Sequence, residues 1–258
     1  MYFSPCINAI FFENKYGKLD LVRRLEIVKE TGYNSFEFWA WWDKDLDILV
    51  EAIAKLNLHV ETFCTRFISL VDETKHEEYL IGLTDTISVA KKLGCSKLIT
   101  QTGNALTNIP REKQYQNLVK GLKACVPVLE ENKVTLLVEP LNLLVDHPGY
   151  FLSRSDEAFA LVKEVGSNYV KVLFDIYHQQ ITEGNIIRNI TNNLAWIDHF
   201  HIADNPGRHE PGTGELNYHN ILQAIKEAGY TGAVGLEYFP TKDPKQSLSD
   251  FLENYKVE

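Results

Sequence analysis

Four side chains able to bind a metal ion recur along the second half of this 258-residue chain. Glu139, Asp175, His201 and Glu237 each lie at or near the end of a short apolar run, with separations of 36, 26 and 36 residues. Alone, each could be a solvated or helix-capping group, but four in apolar surroundings, where unpaired charge is expensive, favour a metal site. Three carboxylates and one imidazole form an oxygen-rich ligand set, which favours one divalent ion such as Mn²⁺, Mg²⁺ or Co²⁺. Structural zinc sites are usually rich in thiolates, but this set is also compatible with Zn²⁺.

The stretch 197–218, IDHFHIADNPGRHEPGTGELNY, combines a strand with a polar loop. His199 and His201 fall on one face of the strand, because side chains in a strand repeat every two residues. Ordering a long loop with many charged side chains costs conformational entropy, and a simple connection between two elements would not need such a loop. We therefore predict that residues 204–216 close one side of an active site. Arg208 is expected to point inward to a substrate oxygen. Two further loop residues are expected to accept backbone N–H bonds: Glu210 and Glu215.

Short apolar runs alternate with helical patterns eight times. Several runs are apolar at nearly every position, which is typical of parallel strands covered on both faces. Four helical patterns stop at a glycine, the residue best suited to a left-handed helix end. The predicted strands are 2–10, 35–40, 58–64, 97–101, 134–140, 170–175, 197–204 and 233–239. The predicted helices are 19–31, 45–56, 77–93, 112–131, 156–165, 185–193, 218–228 and 247–255.

Eight strand-then-helix units predict an α/β fold, a single (β/α)8 TIM barrel, with one domain over 1–258. An open doubly wound sheet is the alternative. It usually carries a glycine-rich phosphate loop after the first strand, whereas this chain reads FFENKYGK there. In a TIM barrel the carboxyl ends of the strands share one rim, so the four candidate ligands, on strands 5 to 8, are predicted to converge there.

Composition restricts the partners. The formal charge is −9 and no basic run exceeds a pair, which argues against nucleic acid and anionic membranes as partners. No apolar stretch approaches the ~18 residues of a membrane span, and the first residues lack a basic leader. The four widely spaced cysteines form no CxxC pair, which indicates reduced thiols. We expect a cytoplasmic protein that binds a small molecule and is compatible with homo-oligomer formation.

Four segments resemble the hydroxypyruvate isomerase family, within the xylose isomerase-like TIM barrels that also include tagatose and psicose 3-epimerases. They are VEPLN (138–142), FDIYHQQ (174–180), HFHIADNPGRHEPGTGELNY (199–218) and GLEYFP (235–240). The resemblance covers essentially the whole chain. It implies a metal-dependent isomerase or epimerase of a sugar or hydroxy-keto acid, with the ion on Glu139, Asp175, His201 and Glu237. It also implies that Glu139 and Glu237 are the catalytic acid/base pair, exchanging protons with an enediolate.

The same resemblance implies substrate-binding residues and a branch of the family. His178, in the loop three residues after Asp175, matches a histidine that binds substrate oxygen in the epimerases. Arg208 resembles their substrate-binding arginine but follows His201 by seven residues, where the 3-epimerases have six. After Glu139, LNLLVDHPGY lacks the second glutamate of the 3-epimerases and offers Asp146 and His147. This favours a hydroxypyruvate isomerase-like enzyme, with His147 as a further substrate-binding residue, over a ketose 3-epimerase.

Two other function classes and two local alternatives stay open. A phosphodiesterase of the endonuclease IV type would require further ligands for a multinuclear zinc centre and a basic DNA-facing surface, which eight histidines and a negative charge disfavour. A non-catalytic sugar-binding barrel would not require both catalytic glutamates. Glu37 and Glu61 could face the barrel mouth or pair internally, and the residues Trp39 to Trp42 could form an apolar wall against substrate or pack between barrel and loop.

Overall fold

The computed structural model describes residues 1–12 and 19–255, and these contain eight parallel strands. Hydrogen bonds join the strands in the order β1-β8-β7-β6-β5-β4-β3-β2, so each strand lies beside its sequence neighbours. This confirms the (β/α)8 barrel and excludes the doubly wound sheet. The strands are β1 (Tyr2–Pro5), β2 (Ser35–Phe38), β3 (His59–Cys64), β4 (Lys97–Thr100), β5 (Thr135–Val138), β6 (Val170–Asp175), β7 (Ile197–Ile202) and β8 (Ala233–Leu236).

The barrel closes between β1 and β2. Cys6, which follows β1, and Glu37, which lies in β2, form an isolated parallel bridge. The Ser35 hydroxyl also donates to the carbonyl of Phe3 at 3.4 Å. The other seven junctions are ladders of two or more paired positions, so the β1–β2 junction is the seam of the barrel.

Helices cover the outside of the barrel. They confirm the eight predicted helical segments to within a few residues at each end. The glycines predicted to end four of them, Gly32, Gly94, Gly166 and Gly229, have φ values of 98°, 68°, 76° and 92°. The helices are α1 (Ile7–Ile10), α2 (Leu21–Glu30), α3 (Leu46–Leu56), α4 (His76–Leu93), α5 (Arg111–Asn132), α6 (Ser155–Val165), α7 (Ile176–Thr182), α8 (Ile186–Asn193), α9 (Tyr218–Glu227) and α10 (Pro244–Asn254).

The structure differs from the sequence prediction after β1 and after β6. The first strand ends at Pro5 instead of residue 10, and the apolar residues that follow form the short helix α1. Helix α7 begins directly at the end of β6, where a loop was predicted. One or two helical turns contain too few positions to show a helical period, so an apolar run alone does not distinguish them from strand or loop. Most of the segment FFENKYGK, residues 13–18, lies outside the described residues.

Two apolar layers support the site. The large core lies between the strands and the helices, and includes Phe174 and Phe200. A separate small cluster, formed by one residue from each of β3, β4, β5 and β6 and by Trp39, lies inside the barrel: Cys64, Ile99, Leu137 and Leu173. Side chains that point inward from the strands therefore rest on a packed layer, and those nearer the carboxyl ends face the open rim. Within the described residues, no helix has the length and apolar character needed to cross a membrane.

Candidate active site

The four predicted metal ligands converge at the carboxyl-terminal rim of the barrel. Glu139 follows β5, Asp175 ends β6, His201 lies in β7, and Glu237 follows β8. One nitrogen or oxygen atom of each lies within 4.8 Å of the corresponding atom of every other. All four side chains are buried. The rim therefore holds three carboxylates and one imidazole close enough for one ion, although burial of so many acidic groups is expensive when nothing offsets their charge.

Two atoms of this cluster lack a hydrogen-bond partner among the described residues, Asp175 Oδ2 and His201 Nδ1. The other oxygen of Asp175 accepts from the backbone N–H groups of Tyr177 and His178 at 2.8 and 3.2 Å, and so caps α7. His201 Nδ1 lies 3.2 Å from Glu237 Oε2 and 3.8 Å from Glu139 Oε1. Buried polar atoms are rarely left unpaired. A divalent cation would satisfy both, so the residues present fit the ion that the sequence predicted.

Glu37 orients the imidazole of His201. Its two carboxylate oxygens contact His199 Nε2 at 3.0 Å and His201 Nε2 at 2.9 Å, all within the barrel interior. Of the two uses left open for Glu37, the structure shows internal pairing. A carboxylate on one ring nitrogen leaves the other ring nitrogen facing the cluster, the usual support for a metal-binding histidine. Gly235 leaves room for this pair, because an added Cβ would lie 2.5 Å from His201 Cδ2 and 2.7 Å from Glu37 Oε2.

The catalytic glutamates predicted from the sequence differ in proton affinity. Burial raises the pKa of Glu139 to about 8, a rise that His201 opposes and the carboxylates of Glu237 and Asp175 reinforce. Burial also acts to raise the pKa of Glu237, but Arg208 and His201 outweigh it, and that pKa falls well below its usual value. Two carboxyl groups with separated pKa values in one site are the arrangement that acid/base catalysis uses.

A cavity of about 220 Å³ opens beside the cluster, large enough for a small metabolite. Its wall contains the three residues that the resemblance assigned to substrate, His147, His178 and Arg208, together with both glutamates. The structure thus places these five side chains around one space; their roles remain predictions. The remaining lining residues are Trp39, Cys64, Phe67, Ile99, Gln101, Leu141 and His201.

Arg208 enters the cavity from the loop after β7. Its guanidinium donates to the Glu237 carboxylate and lies 3.7 Å from Asp175 Oδ2 and 5.3 Å from the centre of the Tyr177 ring. Asp204 shapes the loop by accepting from the backbone N–H groups of Asn205, Gly212 and Leu216 at 3.0, 2.7 and 3.1 Å. Arg208 therefore points inward, as predicted; the substrate oxygen that it would contact remains a prediction.

The two glutamates expected to hold this loop do so differently. Glu210 accepts from the backbone N–H of Thr241 at 3.0 Å and from the Ser247 hydroxyl at 3.1 Å, and it joins the loop to the segment after β8. Glu215 accepts from the side-chain amide of Asn205 at 2.6 Å instead of from backbone N–H groups. The expectation for Glu210 is confirmed in geometry, whereas Glu215 forms side-chain bonds that sequence spacing could not specify.

His178 lies in helix α7 and is fully buried, not in the predicted loop. Its Nδ1 is 2.6 Å from Asn142 Nδ2, and its Nε2 has no hydrogen-bond partner within the described part of the chain. Burial and then the charge of Arg208 hold its pKa well below the usual value. The His147 ring lies 5.3 Å from the His178 ring, centre to centre, and burial lowers its pKa as well.

The tryptophans after β2 were expected either to form a wall against substrate or to pack between barrel and loop, and the structure shows one of each. Trp39 lines the cavity, and its indole N–H donates to Glu237 Oε1 at 2.5 Å. Trp41 instead faces helix α4, where its indole N–H donates to the Thr86 hydroxyl at 3.2 Å. Glu61, the other undecided acid, pairs internally near the amino-terminal ends of the strands, with Tyr2, His59 and Lys97.

Three contributors to the site do not follow from the sequence: Asn142, Gln101, and the bond from Trp39 to Glu237. All three depend on contacts between residues distant in the chain, 198 positions apart for Trp39 and Glu237. For Glu37 a signal was present, since a glutamate inside the apolar run FEFW faces the same interior as two histidines spaced by two in HFH. A charge in such a run requires a partner, and the histidines were available.

Comparison with known proteins identifies a matching family, isomerases of similar sequence and solved structures of similar fold. Residues 25–255 match the family described as xylose isomerase-like TIM barrel. Hydroxypyruvate isomerase of Escherichia coli K12 is 33% identical over 90% of this chain and 93% of that protein. The 2-oxo-tetronate isomerase of Cupriavidus necator is 48% identical over 60% of this chain and 59% of its own. A Brucella melitensis structure named AP endonuclease, family 2, superposes with a TM-score of 0.91 at 27% identity, covering 98% of both chains.

Proposed function

Because the chain belongs to the hydroxypyruvate isomerase family of the xylose isomerase-like TIM barrels, we propose that it isomerises a small hydroxy-oxo acid with one divalent ion. The chain is an enzyme of the isomerase or epimerase class, as its relatives are. One observation carries the finer proposal. Two glutamates, Glu139 and Glu237, face one cavity beside two buried atoms, Asp175 Oδ2 and His201 Nδ1, that lack hydrogen-bond partners among the described residues.

The chemistry requires a proton to leave the carbon beside a carbonyl and another to reach the former carbonyl carbon. A bound divalent ion would act as a Lewis acid that polarises the carbonyl and stabilises the enediolate charge. In this proposal one of the two glutamates removes the first proton and the other supplies the second, while the proton of the neighbouring hydroxyl moves to the former carbonyl oxygen. Trp39 holds one oxygen of Glu237 and Arg208 contacts the other, so this carboxylate is fixed in direction.

The other cavity residues bind and enclose the substrate in this proposal. His178 and Arg208 present N–H groups to substrate oxygens, and His147 lies beside His178 at the cavity wall. Trp39, Phe67 and Leu141 exclude water from the reacting carbons. A water-poor site strengthens each electrostatic interaction within it, which favours the charged enediolate.

Two alternatives are weaker. A ketose 3-epimerase would require a second supporting glutamate after Glu139, whereas the chain places Asn142 and Asp146 there, and both are engaged with each other. A DNA-cleaving enzyme, as the name of the Brucella structure suggests for that protein, would require a basic surface, and the formal charge of this chain is −9.

The proposal is tested by turnover and metal content of matched variants. Metal-stripped protein is reloaded with Mn²⁺, Mg²⁺, Co²⁺ or Zn²⁺ and assayed on hydroxypyruvate, a 2-oxo-tetronate and a panel of ketoses. We expect Glu139→Gln and Glu237→Gln to retain metal, since one oxygen ligand remains, and to lose about 10²-fold or more in kcat, the range for loss of a catalytic acid or base.

The matched control is Glu61→Gln, a buried glutamate near the other end of the barrel, which should leave kcat within about twofold. Solvent deuterium should enter the substrate carbon during turnover by the native protein. Full activity of either catalytic variant would overturn the two-glutamate scheme. Turnover of ketoses, with no turnover of hydroxypyruvate or the 2-oxo-tetronate, would contradict the hydroxy-oxo acid substrate and favour a ketose epimerase.

A further inference from the structure

The segment after β5, in which this chain departs from the 3-epimerase pattern, forms a polar network around His178. Asn142 is fully buried, and its side chain contacts four groups. Its Oδ1 accepts from the backbone N–H groups of Val145 and Asp146 at 2.9 and 3.1 Å. Its Nδ2 contacts Asp146 Oδ2 at 2.7 Å and His178 Nδ1 at 2.6 Å.

These contacts determine the orientation of the Asn142 amide. An exchange of its oxygen and nitrogen would place an NH₂ group against two backbone N–H donors and a carbonyl oxygen against the Asp146 carboxylate. Both contacts would be repulsive, so the NH₂ group faces Asp146 and His178. The amide NH₂ is a donor only. His178 Nδ1 must therefore accept, and it is the ring nitrogen without a proton.

The backbone points in the same direction. The Asn142 backbone N–H also faces His178 Nδ1, at 3.4 Å. Two donors from one residue thus converge on this nitrogen. A proton on Nδ1 would meet both donors, which disfavours the neutral tautomer that is protonated there. The neutral ring must carry its proton on Nε2, which forms no hydrogen bond among the described residues and lies 3.6 Å from Asp175 Oδ2.

Asp146 joins this network to the helix that carries His178. Its Oδ2 accepts from Asn142 Nδ2 at 2.7 Å and from the Tyr177 hydroxyl at 3.0 Å. Tyr177 precedes His178 in α7, and the start of this helix is capped by Asp175. The carboxylate therefore fixes the amide and the helix relative to each other, so that the ring keeps one orientation in the cavity wall.

We propose that Asn142, held by Asp146, is a positioning residue that keeps His178 in the neutral tautomer with its proton on Nε2. His178 then donates a hydrogen bond to a substrate oxygen and does not accept one. This inference rests on the proposed function for the identity of the acceptor, a carbonyl or hydroxyl oxygen beside the reacting carbon. The tautomer itself rests on the protein alone and is measurable without substrate.

Two-bond ¹H–¹⁵N correlation spectra of histidine-labelled, Mg²⁺-loaded full-length protein identify which ring nitrogen carries the proton. The His178→Gln variant identifies the His178 signals among those of the eight histidines. We expect an acceptor-type Nδ1 and a protonated Nε2 from pH 6 to 8. A protonated Nδ1 in this range, as the other tautomer or as imidazolium, would overturn the inference whether or not the protein turns over hydroxypyruvate.

Asn142→Asp replaces the donor at Nδ1 by an acceptor. We expect it to move the His178 proton to Nδ1 or to protonate both nitrogens, to lower kcat about 10- to 100-fold, and to leave metal content unchanged. Asn117→Asp is the matched control, another buried asparagine whose amide donates to a backbone carbonyl, that of Val71, away from the cavity. It should change neither the His178 spectrum nor kcat. An unchanged His178 spectrum in folded Asn142→Asp would contradict the proposal, and the native spectrum decides the question if that variant does not fold.

Discussion

Glu37 binds both histidines of β7 with one carboxylate, and this makes it the residue most informative about metal affinity. In Glu37→Gln the side chain keeps one oxygen and gains an NH₂ group, so it can accept from only one of the two imidazoles. We expect the dissociation constant for Mn²⁺ to rise about 10- to 100-fold, the range for loss of a partner that orients a metal ligand. Calorimetric titration of metal-stripped protein measures it.

Two further variants test whether the change in Mn²⁺ affinity comes from the contact between Glu37 and His201. Gly235→Ala leaves every ligand in place but intrudes on the pair of Glu37 and His201, so it should weaken Mn²⁺ binding in the same direction. Glu61→Gln removes a buried carboxylate whose partners are Tyr2, His59 and Lys97, and it should leave the dissociation constant unchanged. Equal Mn²⁺ affinity in Glu37→Gln and the native protein would show that His201 needs no such support.

Arg208→Ala separates substrate binding from metal binding. The guanidinium contacts Glu237 and lies near Asp175, so its loss removes a positive charge that competes with a bound cation. Metal content should stay at least as high as in the native protein, while kcat/KM falls about 10- to 100-fold for loss of one charged hydrogen bond to substrate. Steady-state kinetics and elemental analysis measure the two quantities. Unchanged kinetics across the substrate panel would exclude this role.

At the scale of elements, the buried carboxylate of Asp204 organises the backbone of the loop after β7 from within. Asp204→Ala leaves three backbone N–H groups without their acceptor, in residues Asn205, Gly212 and Leu216. The expected loss is about 3 kcal/mol of unfolding free energy. Substrate KM should rise as well, because Arg208 lies within the same loop.

Chemical denaturation and steady-state kinetics measure these effects. Asp45→Ala is the control, since Asp45 accepts from two backbone N–H groups at the start of α3, where a lost cap costs about 1 kcal/mol. The control should leave KM unchanged. An Asp204→Ala protein with native KM would show that the loop keeps its shape without this residue.

The elements that could be predicted from the sequence are those with a strong local signal. Several of the eight strands are apolar at nearly every position because the barrel buries both of their faces, and the rim residues follow from where those runs stop. Helices α1 and α7 lack enough turns to show a period. The contacts of Glu37 and Trp39 could not be predicted, because each joins strands or loops that only the closed barrel brings together; Glu37 and His199 are 162 residues apart. The contact of Asn142 with His178 joins two neighbouring units, 36 residues apart.

For the whole molecule, the cluster of buried acids predicts stabilisation by metal. Asp175, Glu139 and Glu237 repel one another in the ion-free protein, and burial raises the pKa of Asp175 and Glu139. An ion at 100 times its dissociation constant would add about 2.7 kcal/mol and raise Tm by about 5–10 °C. Thermal scans with Mn²⁺, and again after chelation, measure this shift. His201→Ala should abolish it, and a shift that persists in that variant would place the ion elsewhere.

The position of Glu37 at the seam between β1 and β2 relates metal binding to closure of the barrel. Glu37 lies in that seam, yet the histidines it supports come from β7, and Glu237 follows β8. A chain emerging from the ribosome exposes Glu37 long before its partners have been synthesised. The support that Glu37 gives to the imidazole is therefore complete only when the two ends of the sheet have met. The tightest ion binding should accordingly follow closure of the barrel, so that full metal affinity reports completed folding.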